Sequence, residues 1–227
     1  MKIKSIRSGI VTLLFALNAT GMQAADTYEK TLQSGDEHQF AKMYTEALAD
    51  YDTALGQAEN DTERGLALSK KAYIYAYTLK NYPAAKEAAE NALKLENTRP
   101  VARVTALQAL AECQMKATPK DYSAAAKNLE TAMKLEGVDW ALPGLALSLG
   151  DCDRFAGQFD EALIAYKRVL DSTAAKPDLK GIAYLNMGLT YQYDLSNFDQ
   201  AKESYKKAVE LNPALKKEID EHLARIH

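Results

Sequence analysis

The stretch Gly157-Gln158-Phe159-Asp160-Glu161-Ala162-Leu163-Ile164-Ala165-Tyr166 decides the fold. Its ring at Phe159 is followed three residues later by Ala162, then four later by Tyr166, then three later by Val169. Steps of three and four put these side chains on one face of an α-helix. The phrase returns as Tyr44, Ala47, Tyr51, Ala54; as Tyr82, Ala85, Ala89, Ala92; as Tyr122, Ala125, Leu129, Ala132; and as Phe198, Ala201, Tyr205, Ala208. Its leading alanine recurs at intervals of 38, 40, 37 and 39 residues. A period in that range marks stacked helical hairpins, so the chain is counted in repeats.

Composition agrees. The 227 residues are 47% hydrophobic and 26% charged, with only 11 Gly and 6 Pro. That is a folded, helix-friendly chain and not a disordered one. The amino terminus is a separate object. Lys2, Lys4 and Arg7 precede an apolar run, Ile10 to Ala19, and small and polar residues lead on to Ala24-Ala25-Asp26. These are the three parts of a secretory signal, too short to span a bilayer comfortably, and residues 1–24 are expected to be removed on export. The expected location is the periplasm or the exterior, with no stable membrane insertion after cleavage. Removal takes the formal charge from −3 to −6, because three cations leave and no acid goes with them. A mildly acidic chain lacks the basic stripe that phosphate backbones require, so nucleic acid is not an expected partner.

Cys113 and Cys152 stand 39 residues apart, at equivalent points of neighbouring repeats. Helices packed side by side hold such points about 8–10 Å apart, beyond the roughly 7 Å that a disulfide spans. Buried free thiols are the expectation. Neither a CxxC pair nor any nucleophile elbow, HExxH, P-loop or GxGxxG is present, and His38, His222 and His227 are scattered. No enzyme, metal or cofactor chemistry is expected.

The repeats read in order as helix pairs. A weak first helix runs from Thr27 to Gln39, interrupted by Ser34-Gly35, and pairs with Met43 to Gln57. Tyr73-Ile74-Tyr75-Ala76-Tyr77 alternates like a strand, but the phrase that follows it makes it helix. Asn81, Asp121 and Asn197 precede second helices and suit their caps, and Pro83 is tolerated in a first turn. Gly150 and Gly188 on first helices are expected to face Ala162 and Ala201, the small residues letting the pair approach closely. After Asn212-Pro213, residues 213–227 carry Leu215, Ile219, Leu223 and Ile226 on one stripe, as a lid over the last repeat would.

With these residues in view, the chain resembles a tetratricopeptide-repeat protein. The fifth unit matches through Tyr184, Met187-Gly188, Tyr191, Ala201, Tyr205, Ala208 and Pro213; the fourth matches through Leu149-Gly150, Gly157, Phe159, Ala162 and Tyr166. Tyr73 departs from the pattern, standing where a small residue is usual. The resemblance implies an all-α, right-handed solenoid of about five helix-turn-helix repeats over residues 25–212 with a C-terminal capping helix. It also implies a concave groove lined by the first helices. Stripes at helical spacing place there Lys70, Ile74 and Tyr77; Gln108, Glu112 and Met115; Leu147, Asp151, Arg154 and Phe155; and Leu185, Leu189 and Tyr193. Rings, aliphatics and few charges suit an extended peptide or an amphipathic helix. The expected function is a non-catalytic scaffold that binds a protein or peptide. Alternatives are a self-assembling structural component and an accessory subunit of an envelope enzyme or transport complex; the oligomeric state stays open. The paired basic residues that some members use to clamp a terminal carboxylate are missing, and Asn186 stands alone.

Overall fold

The computed structural model describes residues 26–226, so the expected export segment at 1–24 lies outside the described residues. Among the described residues the chain is helical, without a strand. Ten helices pair in order: α1 (26–40) with α2 (Tyr44–Gln57), α3 (Asp61–Tyr73) with α4 (Tyr82–Lys94), and α5 (Pro100–Lys116) with α6 (Tyr122–Met133). They continue with α7 (Leu142–Phe155) on α8 (Phe159–Asp171) and α9 (Pro177–Leu189) on α10 (Phe198–Leu211). A 3-10 turn, Pro213–Leu215, leads into α11 (Lys216–Leu223). Each helix packs mainly on its chain neighbours, and the buried residues form successive clusters along the array instead of one centre. This is the solenoid arrangement, in which each hairpin buries its apolar face against the next.

The recurring phrase is the buried stripe. In all five second helices its last three positions are buried, from Ala47, Tyr51 and Ala54 to Ala201, Tyr205 and Ala208. The caps form as expected: Asn81 accepts from the Ala84 N–H, Asp121 from Ala124 and Asn197 from Gln200. Asn60 caps α3 in the same way. Ile219 of α11 is buried, and Leu215, Leu223 and Ile226 pack around it against the last repeat. Cys113 and Cys152 are buried free thiols, and burial pushes them up to about 11 and about 12.

Two features differ from the sequence expectation. The first concerns the glycines. A Cβ at Gly188 would lie 2.5 Å from Cε1 of Tyr205, and one at Gly150 would collide with Tyr166 in the same way. The notch therefore receives the ring and not Ala162 or Ala201. Gly35 does the same for Tyr51, so it is the notch of the first repeat, and α1 runs unbroken through Ser34-Gly35. Where the second helix carries a smaller residue, alanine suffices: buried Ala72 and Ala111 face the clusters of Ala89 and Leu129. Tyr73 is accordingly no departure, since Ala72 takes the small position and Tyr73 turns outward, 41% exposed.

The second is a pair of π-turns, Ile74–Thr78 and Thr190–Asp194, ending the first helices of repeats two and five. The amide of Leu79 reaches back to Ile74 O and that of Leu195 to Thr190 O, five residues each. Ten residues separate Ala72 from Tyr82 and Gly188 from Phe198, against nine between Gly150 and Phe159. Each π-turn thus absorbs one inserted residue within the helix.

The notch makes a prediction. Tyr166 is fully buried and cannot swing aside, so Gly150→Ala should lower stability by about 1–3 kcal/mol. Adding Tyr166→Leu should recover part of the loss, because Ala111 and Leu129 stand at the corresponding positions of the third repeat in one buried cluster. Urea unfolding followed by circular dichroism measures both; an unaltered Gly150→Ala midpoint would refute the notch.

Candidate functional site

The first helices share a face, and the structure opens a cavity of about 110 Å³ in it between α5 and α7. Its floor is Ala111, Met115 and Leu129; its walls are Tyr77 from the first π-turn, Gln108, Glu112 and Lys116 from α5, and Ser148, Asp151 and Phe155 from α7. Helical spacing accounts for the assembly. Gln108, Glu112 and Lys116 lie four apart, as do Asp151 and Phe155, while Ser148 is one turn before Asp151.

Each wall is held by a specific contact. The Tyr77 hydroxyl donates to Gln108 O at 3.1 Å, tying the end of one first helix to the next. The Phe155 ring lies 52% exposed, stacked on Tyr122 with centroids 5.7 Å apart. The Arg154 guanidinium sits 5.7 Å from the Phe155 ring centre, and its Nε donates to Asp194 at 2.5 Å. Glu112 has a side chain only 13% exposed, with Lys80 Nζ at 3.6 Å.

Asp151 is the most constrained group. Its Oδ1 accepts from the Tyr166 hydroxyl at 2.8 Å and from Asn186 Nδ2 at 2.7 Å. Burial raises its carboxyl above the usual range, and the bond from Tyr166, the nearby Arg154 and the bond from Asn186 only partly offset this. Burial likewise pushes the Tyr166 phenol up, aided by Asp151, so the hydroxyl keeps its proton and remains a donor. The same α7 buries Asp153 as well. Desolvation raises it to about 6, reinforced by Glu161 and Glu130 and opposed by Arg168.

Of the thirteen residues expected on the groove, six line the cavity: Tyr77, Gln108, Glu112, Met115, Asp151 and Phe155. Two are corrected, because Ile74 and Leu185 are buried; Met115 is buried as well but forms part of the cavity floor. Leu147 and Leu189 pack against the cores of the fourth and fifth repeats. Lys70 is engaged by Asp36 at 2.7 and 3.0 Å, and Arg154 by Asp194. Tyr193 lies at the far end, its hydroxyl 3.0 Å from His222 Nδ1 of α11. The sequence pattern does not single out Ser148, one residue from Leu147, nor a second cavity of about 460 Å³ lined by Trp140, Pro143, Gly144, Leu179 and Ile182. Gln108 borders both cavities. A wider cleft of about 660 Å³ lies between α4 and α6, but its polar lining is largely paired internally, Asn128 with Gln114 and Lys86 with Glu90.

Comparison with known proteins bears on this geometry. A tetratricopeptide-repeat family model matches residues 182–215, which carry most of α9, α10 and the turn after it. Residues 182–215 are thus a tetratricopeptide repeat, within an array that has the fold of such repeat proteins. Several solved structures share the repeat array. MamA is 22% identical with a TM-score of 0.60, over 85% of this chain and 96% of its own. TTC0263, a thermophilic repeat protein of the same type from Thermus thermophilus, is 20% identical with a TM-score of 0.64, over 87% and 99%. YrrB, described as having an unusual peptide-binding site, is 23% identical with a TM-score of 0.57, over 83% and 90%. No curated protein sequence matches the chain. Such repeats are generally protein-interaction modules, and among the described residues no helix is long and apolar enough to cross a membrane.

Asp153 carries a testable consequence. Its folded pKa stands above its unfolded value, so the fold favours the neutral carboxyl. That contribution is complete below about pH 4 and is lost as pH rises through about 6. Asp153→Asn should therefore be more stable than the wild type by about 1–3 kcal/mol at pH 7–8, with the difference vanishing near pH 4. Urea titrations at several pH values check this; a pH-independent difference would contradict it.

Proposed function

We propose that this protein is a non-catalytic scaffold outside the bacterial cytoplasm, in the cell envelope, and that it docks a peptide or protein segment along the face of its first helices. The observation that carries this is the convergence of Tyr77, Gln108, Glu112, Ser148, Asp151 and Phe155 on one open cavity, with Gln108 also lining the Trp140 cavity. Three of the five repeats contribute, so a single extended segment crossing the array touches all of them. An exposed ring beside partly buried polar groups is the make-up of an anchoring site, where a few residues carry most of the affinity. The peptide-binding site described for YrrB supports the reading by analogy of fold. Export is supported by the sequence of residues 1–26.

A second reading has its own observation. Phe40 is 92% exposed and Met43 is also exposed, apolar side chains at the turn between α1 and α2 that suit self-association. Light scattering at micromolar concentration separates the two, since a strict monomer removes assembly and leaves docking.

The test is photo-crosslinking in cells with a benzophenone amino acid at Phe155, compared with the same group at Ile164, which is exposed on the second helix α8. A defined adduct from position 155 and not from 164 is expected, in the periplasmic fraction. Equal adducts from both positions, or none from 155, would overturn the docking reading; adducts confined to the cytoplasm would overturn the location.

A further inference from the structure

We infer that the cavity between Tyr77 and Phe155 takes a lysine or arginine side chain of the docked segment, with the carboxylates of Asp151 and Glu112 as its counter-charges. The inference rests on the docking reading above and adds the chemistry of the anchor.

The molecule supplies its own comparison. Asp36 and Asp151 each follow the notch glycine of their repeat, and each accepts from that repeat's tyrosine hydroxyl, at 2.6 and 2.8 Å. Asp36 is neutralised by the next repeat: Lys70 Nζ lies 2.7 and 3.0 Å from its two oxygens. Lys70 stands two residues before Ala72, and the residue two before Gly188 is Asn186. Asn186 reaches Asp151 as Lys70 reaches Asp36, but it brings a hydrogen bond and no charge. The cation that completes the first copy is thus absent from the second, whose Asp151 lines an open cavity.

Among the described residues the cations near Asp151, Arg154 and Lys116, only partly offset its burial. The Arg154 guanidinium is committed to Asp194 at 2.5 Å. Lys80 approaches Glu112 only to 3.6 Å and is half exposed, and Lys116 sits exposed at the rim. Both hydrogen bonds to Asp151 end on Oδ1, so among the described residues Oδ2 keeps its capacity to accept. A carboxylate held away from water without its counter-charge is costly, and an incoming cation relieves that cost. The walls fit the same guest. Aromatic faces attract ammonium and guanidinium groups, and a cavity of about 110 Å³ admits one long unbranched side chain. An acidic segment would meet two carboxylates and be rejected.

The experiment is selection of a phage-displayed random dodecapeptide library on the purified protein, followed by fluorescence anisotropy with the synthetic peptides. Lysine or arginine is expected at one fixed position. Its replacement by norleucine, the same stem without the charge, should weaken binding by about tenfold or more. Glu112→Gln should shrink that difference, and Asn186→Lys should remove it, because the chain then carries its own cation as in the first repeat. Lys116→Gln should tighten binding. Circular dichroism melts establish that each variant is folded. Selected peptides without a basic position, or a norleucine penalty that survives both Glu112→Gln and Asn186→Lys, would overturn the cation inference while docking stands. Failure to select any peptide, or peptides that bind Phe155→Ala as tightly as the wild type, would overturn the docking reading and the inference with it.

Discussion

A tyrosine ring seated in a glycine notch holds the first, fourth and fifth repeats of this protein together. Tyr51, Tyr166 and Tyr205 are fully buried, and each fills the space that a single methyl group at Gly35, Gly150 or Gly188 would occupy. Close packing makes the pairing exclusive, since interiors leave no slack for both groups. A buried phenol also needs a partner for its hydroxyl. Asp36 and Asp151 supply it directly beside the notch, and Gln192 supplies it in the fifth repeat at 2.7 Å. Notch, ring and acceptor therefore come as a set.

That set links packing to the exposed face. The acceptor stands on the first helix, at the boundary between the buried seam and the surface available to a partner. Its second contact crosses to the following repeat, through Lys70 in one copy and Asn186 in another. Structural requirements thus place a carboxylate on the face in two of the repeats, at Asp36 and Asp151, and the neighbouring residue decides whether its charge is cancelled within the chain. The surface chemistry of the array follows from how its rings are buried.

Much of the fold is legible in the sequence because its determinants are local. The ring-and-alanine phrase, the caps at Asn81, Asp121 and Asn197, and the apolar stripe of the last helix each depend on spacing within one helix. What is not legible depends on how two helices meet. Ala162 and Tyr166 share a face, so the sequence of α8 does not say which of them Gly150 opposes; the axial stagger of α7 against α8 does. The groove stripe suffers likewise. Ile74 and Leu185 have the right spacing but face inward, and Ser148 lines the cavity where the stripe points to Leu147, a neighbour about 100° round the helix. Asn186 is legible in principle, since aligning the repeats on their notches sets it opposite Lys70.

The π-turns have a wider consequence. An extra residue in a plain α-helix would rotate everything beyond it by about 100° and carry the seam out of phase. Here the surplus is taken up after the notch and before the next cap, so Ala72 and Gly188 keep their partners while Tyr77 and Tyr193 are carried to new positions at the helix ends. Unit length is thereby uncoupled from stacking. A lineage can redraw the rim of such an array one insertion at a time, with the spine untouched.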